Sequence, residues 1–469
     1  MDTIWRPALT SKTGTLHERL IDALRGDIAS GALDAGTRMP THRELARTLE
    51  IGIGTVSKFY AEAERSGLLT SHVGRGTFVA DQRGSFERAS DGPIDLTLNL
   101  PPTKAAASRL GETLASFRKR DDFPDYIAIA PQPGLDRHRQ AGAIWLKRWA
   151  NLPDVDWRRL LVTCGAQHGM SLALDAICRP GETILTDAVT FHGASAIADN
   201  RGFKLVGLAL DGEGLIPEAL EDAVVRTGAR VVYIQPTLQN PTAHTMSLAR
   251  REAIVRIARR HDLWLLECDV YSPLARAGSA ARGEAIEIVP IATLAPERTL
   301  YAASVSKSFG AGLRVGYLLA PNDAIFDRLC LGMRASVYSA GTLGPLVASE
   351  WIQDGRADDI LSEVAVEAER RTAFALRELG TIVETPSHPA SLHIWLPMSE
   401  LAAERAAGRL LRQGVIVTPP SSFTIAGNLA SGLRLCLGAV PDQGTLERAL
   451  GIVALALSAE SENLTTPVI

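Results

Sequence analysis

Between residues 182 and 321 the chain alternates short apolar runs with helical stretches, and few architectures accommodate that rhythm. The runs are ETILTD, FKLVGLAL, ARVVYIQP, DLWLLECD, RTLYAASVS and RVGYLLAP. Strands joined by helical connections in this way predict a doubly wound, mostly parallel α/β sheet. In such sheets ligands sit beyond the carboxyl ends of the strands, so the residues that close these runs are the first candidates for chemistry. A long helical stretch centred on residues 345–378 follows, and then SLHIWLP, GVIVTPP and SGLRLCLGA alternate with helices. These predict a smaller C-terminal α+β lobe. The expected bounds are 94–460 for the α/β unit, with a large lobe over about 94–345 and the small lobe over about 346–460.

Residues 13–80 follow a different pattern. Leu16, Leu20, Leu24 and Ile28 recur at helical spacing, with Gly31 as a stop signal. In P-T-H-R-E-L, Thr41 caps a second helix and Glu44, three residues on, completes a capping box. A turn at Glu50 to Gly52 leads into TVSKFYAEAERSGLL, where Val56, Phe59, Tyr60 and Ala63 share a face. SHVGRGTFVA then reads as two short strands around Gly74-Arg75-Gly76. Three helices and a hairpin in this order predict a winged helix-turn-helix. Residues 81–93, DQRGSFERASDGP, are polar, charged and glycine-rich, and read as a short linker. The tail from about Ser458 is polar and is expected to fray.

A chain of 469 residues suits two or three domains. Its five cysteines (Cys164, Cys178, Cys268, Cys330 and Cys436) form no CxxC pair, and an odd, scattered set suits a reducing cytoplasm. The ten histidines form no HxxxH or HExxH, so no metal site is expected. No run is apolar and long enough to span a bilayer, and MDTIWRPALTSKTG lacks the apolar stretch of a signal peptide, so a cytoplasmic chain is expected. The net charge of −4 excludes a polycation, and residues 1–80 carry 10 Lys plus Arg against 9 Asp plus Glu. Any contact with nucleic acid must therefore rest on motif and geometry.

Lys307 ends Ser304-Val305-Ser306-Lys307, a turn that follows a strand-like run and precedes Gly310-Ala311-Gly312-Leu313-Arg314-Val315-Gly316. A lysine in such a small-residue turn is partly desolvated. Desolvation and nearby positive charge lower an amine's pKa and make it a nucleophile toward an aldehyde. Ser304, Ser306 and Arg314 beside it suit a phosphate. The glycines follow the lysine and lead into a strand, which argues against a dinucleotide-binding loop. Asp269 closes LWLLECD and points into the ligand crevice. Gly165-Ala166-Gln167 follows LLVTC and opens the helix HGMSLALDAI, whose N-terminus offers backbone N–H groups to a phosphate. Cys268 reads as small-hydrophobe packing. Asn240, in QPTLQNPTA, is by residue type as readily a turn initiator as a site residue.

S-x-S-K followed by G-L-R-x-G-Y resembles the cofactor-lysine motif of fold-type I aminotransferases. With the GntR-like head, the chain resembles the MocR family of transcription regulators from about residue 13 to 455. The resemblance implies a winged helix-turn-helix followed by a pyridoxal-phosphate-dependent transferase fold, with the cofactor held on Lys307. It implies that Asp269 pairs with the pyridine nitrogen, so that the ring acts as an electron sink, and that Tyr271 and Asn240 bond the ring's phenolic oxygen. It puts the phosphate on Gly165, Ala166 and Gln167, closed by Ser304, Ser306 and Arg314. It makes Phe191, at a position commonly Tyr, the residue that stacks on the ring. Arg434, in SGLRLCLGA, matches the arginine that grips a substrate carboxylate in a fork, so an amino acid or other amino compound is the implied ligand. Family members usually read N-P-T-G where this chain has Ala243. In the head, the helix beginning near Ile53 is the implied major-groove reader, and Arg43, Thr55, Lys58, Arg75 and Gly76 match family contacts to double-stranded DNA. Ile53 stands where the family commonly has Arg. A homodimer is also implied.

Three functions follow. One is a DNA-binding regulator that senses pyridoxal phosphate or its adduct with an amino compound. The second is a catalytically active aminotransferase with an appended head. The third is a regulator that has lost the cofactor, against which Lys307, Asp269, Tyr271, Asn240 and Arg314 argue.

Overall fold

The structure is a computed structural model and describes residues 5–7, 15–30, 32–34, 36–66, 68–72, 76–79, 92–426 and 428–463. Gly31, Gly74, Arg75 and positions 81–91 of the expected linker lie outside the described residues. The chain divides into two compact units, Met1–Gly92 and Pro93–Ile469.

The first unit contains α1 (Leu16–Ala29), α2 (His42–Leu49), α3 (Ile53–Arg65) and an antiparallel hairpin of β1 (Leu69–His72) and β2 (Gly76–Val79). The capping box forms at α2. The Glu44 amide donates to Thr41 Oγ1 at 3.3 Å, and the Thr41 amide donates to the Glu44 carboxylate at 2.8 Å. Leu20, Leu24, Leu45, Val56 and Phe59 are fully buried and form one core, as their helical spacing requires.

The second unit opens with β3 (Ile94–Asp95), α4 (Lys104–Phe117) and α5 (Asp136–Trp149). It continues through β4 (Leu160–Thr163), α6 (Ala166–Ile177), β5 (Thr183–Asp187), α7 (His192–Arg201) and β6 (Lys204–Leu208). A small ribbon of β7 (Leu210–Asp211) and β8 (Gly214–Leu215) precedes α8 (Pro217–Thr227), β9 (Val231–Ile234), α9 (Leu248–Arg260) and β10 (Trp264–Asp269). Then come α10 (Ser272–Ala281), α11 (Ile291–Leu294), β11 (Thr299–Ser304), β12 (Gly316–Leu319) and α12 (Asp323–Ser336). The main sheet has seven strands in the order β4-β12-β11-β10-β9-β5-β6, and only β12 runs antiparallel to its neighbours. Strands β4, β9 and β11 are buried along their whole length. Burial on both faces is why their sequences read as continuous apolar runs.

The remaining elements are α13 (Leu343–Asp354), α14 (Arg356–Leu379), β13 (His393–Pro397), α15 (Glu400–Arg412), β14 (Val415–Ile416), β15 (Gly432–Cys436) and α16 (Gln443–Asn463). Gly355, at φ 89°, divides the expected long helical stretch into two helices. The border between lobes differs from the one read in the sequence. α13 and the first half of α14, through Ala368, pack into the large-lobe core, whereas Ala375 and Leu379 join the small-lobe core. β3 also belongs to the small lobe, pairing parallel with β14, and Leu96 lies in that core. The C-terminal helix, anchored in the small lobe by Leu446, Leu450 and Val453, runs on to Asn463, into the polar tail expected to fray from about Ser458. Among the described residues no helix is long and apolar enough to cross a membrane.

Candidate functional site

Strand register assembles one end of the site. Asp269 pairs with Ala303, so the last residue of β10 and the turn that carries Lys307 share the carboxyl edge of the sheet. The Asp269 carboxylate is buried and accepts three hydrogen bonds: from the Ser272 amide at 3.0 Å, the Ser272 hydroxyl at 2.5 Å and the Tyr301 hydroxyl at 2.8 Å. Three donors from two elements fix its orientation. The Lys307 amine donates to the backbone carbonyl of Asn99. Burial pulls that amine down from 10.5 to about 8; the Arg434 and Arg314 charges add to the effect, and Cys436 and Cys268 oppose it. An amine in this state is a usable nucleophile near neutral pH.

The other end is built from the small lobe and the chain's entry segment. Arg434 lies in the middle of β15 and is 3% exposed. Its guanidinium donates to Asn240 Oδ1, Thr418 Oγ1 and the Thr97 carbonyl, each at 2.8 Å. At that depth Arg434 is not part of a surface ion pair. Tyr271 is buried directly before α10, and burial pushes its phenol up. The Tyr271 hydroxyl accepts from Asn99 Nδ2 at 2.9 Å, and the same Nδ2 lies 3.1 Å from His393 Nδ1. Ala243, the departure from N-P-T-G, takes the left-handed backbone at φ 59° that a glycine would adopt without strain.

Gly165 caps α6 at φ 86°, and a Cβ there would lie 3.1 Å from the Arg314 guanidinium. The missing side chain keeps a cradle open between the α6 N-terminus and Arg314, whose guanidinium donates to the Cys164 carbonyl at 3.1 Å. A cavity of ≈ 410 Å³ beside it is lined by Cys164, Gln167, His168 and Arg314 among others. The α6 amides and the Arg314 charge suit an anion. Ala166 and Gln167 are the first two residues of α6, and Gln167 Nε2 donates to the Gly193 carbonyl at 3.3 Å. Ser304 is used otherwise than its place in the turn suggests. Its hydroxyl donates to the Val315 carbonyl at 3.0 Å and accepts the Ser306 amide at 3.0 Å, so its one proton stabilises the turn. Ser306 sits half-buried beside it. Phe191 precedes α7, with its ring edge-on to His192 at 4.6 Å. A Cβ on Gly193 would fall 2.3 Å from that ring, so glycine is required there.

In the first unit, Arg43 and Lys58 are exposed on α2 and α3, Thr55 is half-buried on α3, and Gly76 opens β2 at φ 109°. Arg75 lies outside the described residues. Ile53, the first residue of α3, is 51% exposed, an unusual place for isoleucine in a small domain. Arg38 was not anticipated from the sequence. It is exposed, and its guanidinium lies 3.2 Å from where a Cβ on Gly76 would be.

The model of aminotransferase class I and II matches residues 91–453, and that of bacterial regulatory proteins, gntR family, matches residues 16–79. The chain belongs to the aminotransferase class I and II family. Its GntR-type head ahead of that domain gives it the organisation of a MocR-type member. It is 26% identical over 323 residues to the HTH-type transcriptional regulator YdeF of Bacillus subtilis (strain 168), covering 68% of each chain. It is 23% identical to the vitamin B6 salvage pathway transcriptional repressor PtsJ of Salmonella typhimurium, over 92% of this chain and 96% of that one. Among solved structures, an archaeal alanine:glyoxylate aminotransferase superposes with a TM-score of 0.71 at 22% identity, covering 87% of this chain and 95% of that one.

Members of this aminotransferase fold hold pyridoxal phosphate, and the residues present here fit it. The open space at Gly165 beside Arg314 suits its phosphate, the depressed Lys307 amine its aldehyde, and the braced Asp269 carboxylate its ring nitrogen. Asn99, Thr97, Tyr301, Thr418 and His393 complete the site but were missed in the sequence. Asn99 and His393 are brought together across 294 residues, and no local pattern marks either.

Proposed function

We propose that this chain is a pyridoxal-phosphate-dependent, DNA-binding transcription regulator whose aminotransferase-class domain senses the cofactor or an amino compound bound with it. The observation that carries the proposal is one buried site, in a chain with a GntR-type head, that gathers Lys307, Asp269, Tyr271 and the Arg434–Asn240 pair. Bound there, pyridoxal phosphate would supply an electrophilic aldehyde and an electron-withdrawing ring. Lys307 offers an amine that is partly neutral near physiological pH. Asp269 offers a fixed negative charge to a ring nitrogen. Gly165, Ala166, Gln167, Ser306 and Arg314 form the phosphate cradle, and Phe191 is the proposed face for the ring. Arg434 offers two charged donors to a ligand carboxylate, which suits an amino acid.

On DNA, α3 is the proposed reader, with Arg43, Thr55, Lys58, Arg75 and Gly76 at the contact surface. The working unit is a homodimer in the cytoplasm. Ile127 and Ile129 are 95% and 77% exposed, and with Tyr338, Leu343 and Arg314 they line a ≈ 500 Å³ cavity. Exposed apolar surface that runs up to the phosphate cradle supports a second copy covering it. The same complete set of cofactor and carboxylate residues favours a second reading, a working aminotransferase, which would release a keto acid and leave the cofactor in its amine form.

The deciding experiment titrates full-length protein onto its own upstream DNA at one fixed salt concentration. It compares cofactor-free protein, loaded protein, and loaded protein with an amino compound that perturbs its spectrum. A coupling of about 1–3 kcal/mol changes DNA affinity roughly 5- to 150-fold. Equal affinity and equal transcription in all three states, together with keto-acid release, would move the enzyme reading ahead.

A further inference from the structure

Tyr271 can serve a bound ring only if its hydroxyl proton points into the site, and a chain of hydrogen bonds decides where that proton goes. His393 is fully buried, and its Nε2 lies 3.1 Å from the Gln239 backbone carbonyl. A carbonyl cannot donate, so Nε2 carries the proton. Burial and the Arg434 charge keep the ring neutral, so Nδ1 is a bare acceptor. Nδ1 faces the Asn99 side chain at 3.1 Å, which fixes the orientation of that amide: Nδ2, not Oδ1, must point at His393. The second hydrogen of Nδ2 then falls on the Tyr271 oxygen at 2.9 Å. With its oxygen already accepting, Tyr271 is left to donate.

We infer that Asn99, held by His393, is a positioning residue that directs the Tyr271 hydroxyl proton toward the phenolic oxygen of the ring bound on Lys307. This rests on the proposed cofactor site and deepens it. A second observation points the same way. Asn99 spans both ends of the reacting lysine's surroundings, its backbone carbonyl taking the Lys307 amine while its side chain holds Tyr271. Its Oδ1 is buried and without a partner, so the amide gains nothing for itself in this orientation. Donation from Tyr271 stabilises a negative phenolic oxygen and so favours loss of the proton shared between that oxygen and the lysine nitrogen. Removing the donation makes that proton harder to lose.

The test is the pH midpoint of the visible band of full-length protein loaded with pyridoxal phosphate, measured in a double-mutant cycle. The other titratable or charged groups facing this network are Arg434 and Cys436 on β15, Cys268 on β10, Tyr233 on β9, Arg314 and His192. All are unchanged across the cycle. Asn99→Asp keeps the shape but has no donor, so the Tyr271 proton turns toward the new carboxylate. It should raise the midpoint at least tenfold in proton affinity more in the native Tyr271 background than in Tyr271→Phe. Asn99→Leu, uncharged, should give a smaller shift of the same sign that vanishes with Tyr271→Phe. Equal shifts in the two backgrounds for both variants would mean a plain charge or packing effect and would overturn the role of Asn99 alone. A wild-type chain that takes up no cofactor would overturn the proposed function as well.

Discussion

The state of the Lys307 amine can be measured directly. The amine titrates near 8, against 10.5 for a solvated lysine, with burial as the main cause. At pH 7 an amine with a pKa of about 8 is roughly 9% neutral, and one at 10.5 roughly 0.03%. At equal intrinsic reactivity, Lys307 should then react with an aldehyde about 300 times faster than a surface lysine. The assay is reductive methylation of cofactor-free protein with formaldehyde and cyanoborohydride, read by peptide mapping across a pH series. The rate at Lys307 should rise about tenfold per pH unit below its pKa and level off above about 8, while other lysines keep rising to about 10.5. Arg434→Met removes a neighbouring positive charge and should move the levelling point upward. The same depression has a stability side. The unfolded chain binds more protons than the native one between about 8 and 10.5, so stability rises with pH through that window. Below it the charged amine destabilises the fold by about 3 kcal/mol, taking about 1.4 kcal/mol per pH unit. Lys307→Met should therefore stabilise cofactor-free protein at neutral pH by about 2 kcal/mol, after about 1 kcal/mol for the lost bond to Asn99. The gain should vanish above about pH 10.5. A Lys307 methylation rate that still climbs tenfold per unit in the levelling range would refute the reasoning.

Three other outcomes are expected. Asp269→Asn can keep an oxygen toward the Ser272 and Tyr301 hydroxyls, but it then sets its NH2 group against the Ser272 backbone N–H and removes the charge offered to a ring nitrogen. It should cost about 1–3 kcal/mol in thermal unfolding and abolish the spectral response to amino acids while leaving cofactor uptake measurable. Ala243→Gly relieves a left-handed alanine, worth about 1–2 kcal/mol, but loses a buried methyl, about 0.8 kcal/mol, and adds chain entropy, about 0.4–1 kcal/mol. Urea unfolding should place it within about 1 kcal/mol of the parent, and a loss much above that would mean the methyl packs in a way the backbone does not explain. Thr41→Ala removes the capping box of α2 and should cost the head about 1 kcal/mol, read as earlier loss of amide-exchange protection in α2 and α3.

What was legible in the sequence follows from where each residue's partners lie. The strands were legible because burial on both faces leaves continuous apolar runs. The positions of Lys307 and Asp269 were legible because Asp269 closes such a run and Lys307 lies in the turn directly after one, where chain direction fixes the crevice. Ser304 misled because a hydroxyl in a lysine-bearing turn suits a phosphate, whereas its proton goes to Val315, eleven positions along. Tyr301 looks like any aromatic in a buried strand, and only its contact with Asp269 distinguishes it. The lobe border was misplaced because β3 is two residues long and half-exposed, too short to show alternation.

Arg434 joins the legible and the hidden. In G-L-R-L-C the period of two puts Leu433 and Leu435 on one face, and both lie in the small-lobe core. Arg434 is thereby sent to the other face, where it meets Asn240, Thr418 and Thr97. All three partners are neutral oxygens, and among the described residues no carboxylate pairs with this guanidinium. A buried charge without a counter-ion is costly to the fold. Lys307, a short way across the site, answers the same pressure by holding its proton less tightly, a response not open to a guanidinium. The charge of Arg434 must persist, and a ligand that brings its own carboxylate supplies what the fold withholds. Such a ligand should stabilise the small lobe more strongly than an equally large neutral amine does, and Arg434→Met should erase that difference while raising the stability of the ligand-free chain. Both are measurable as shifts in thermal midpoint with one amino acid and its decarboxylated counterpart at equal saturation.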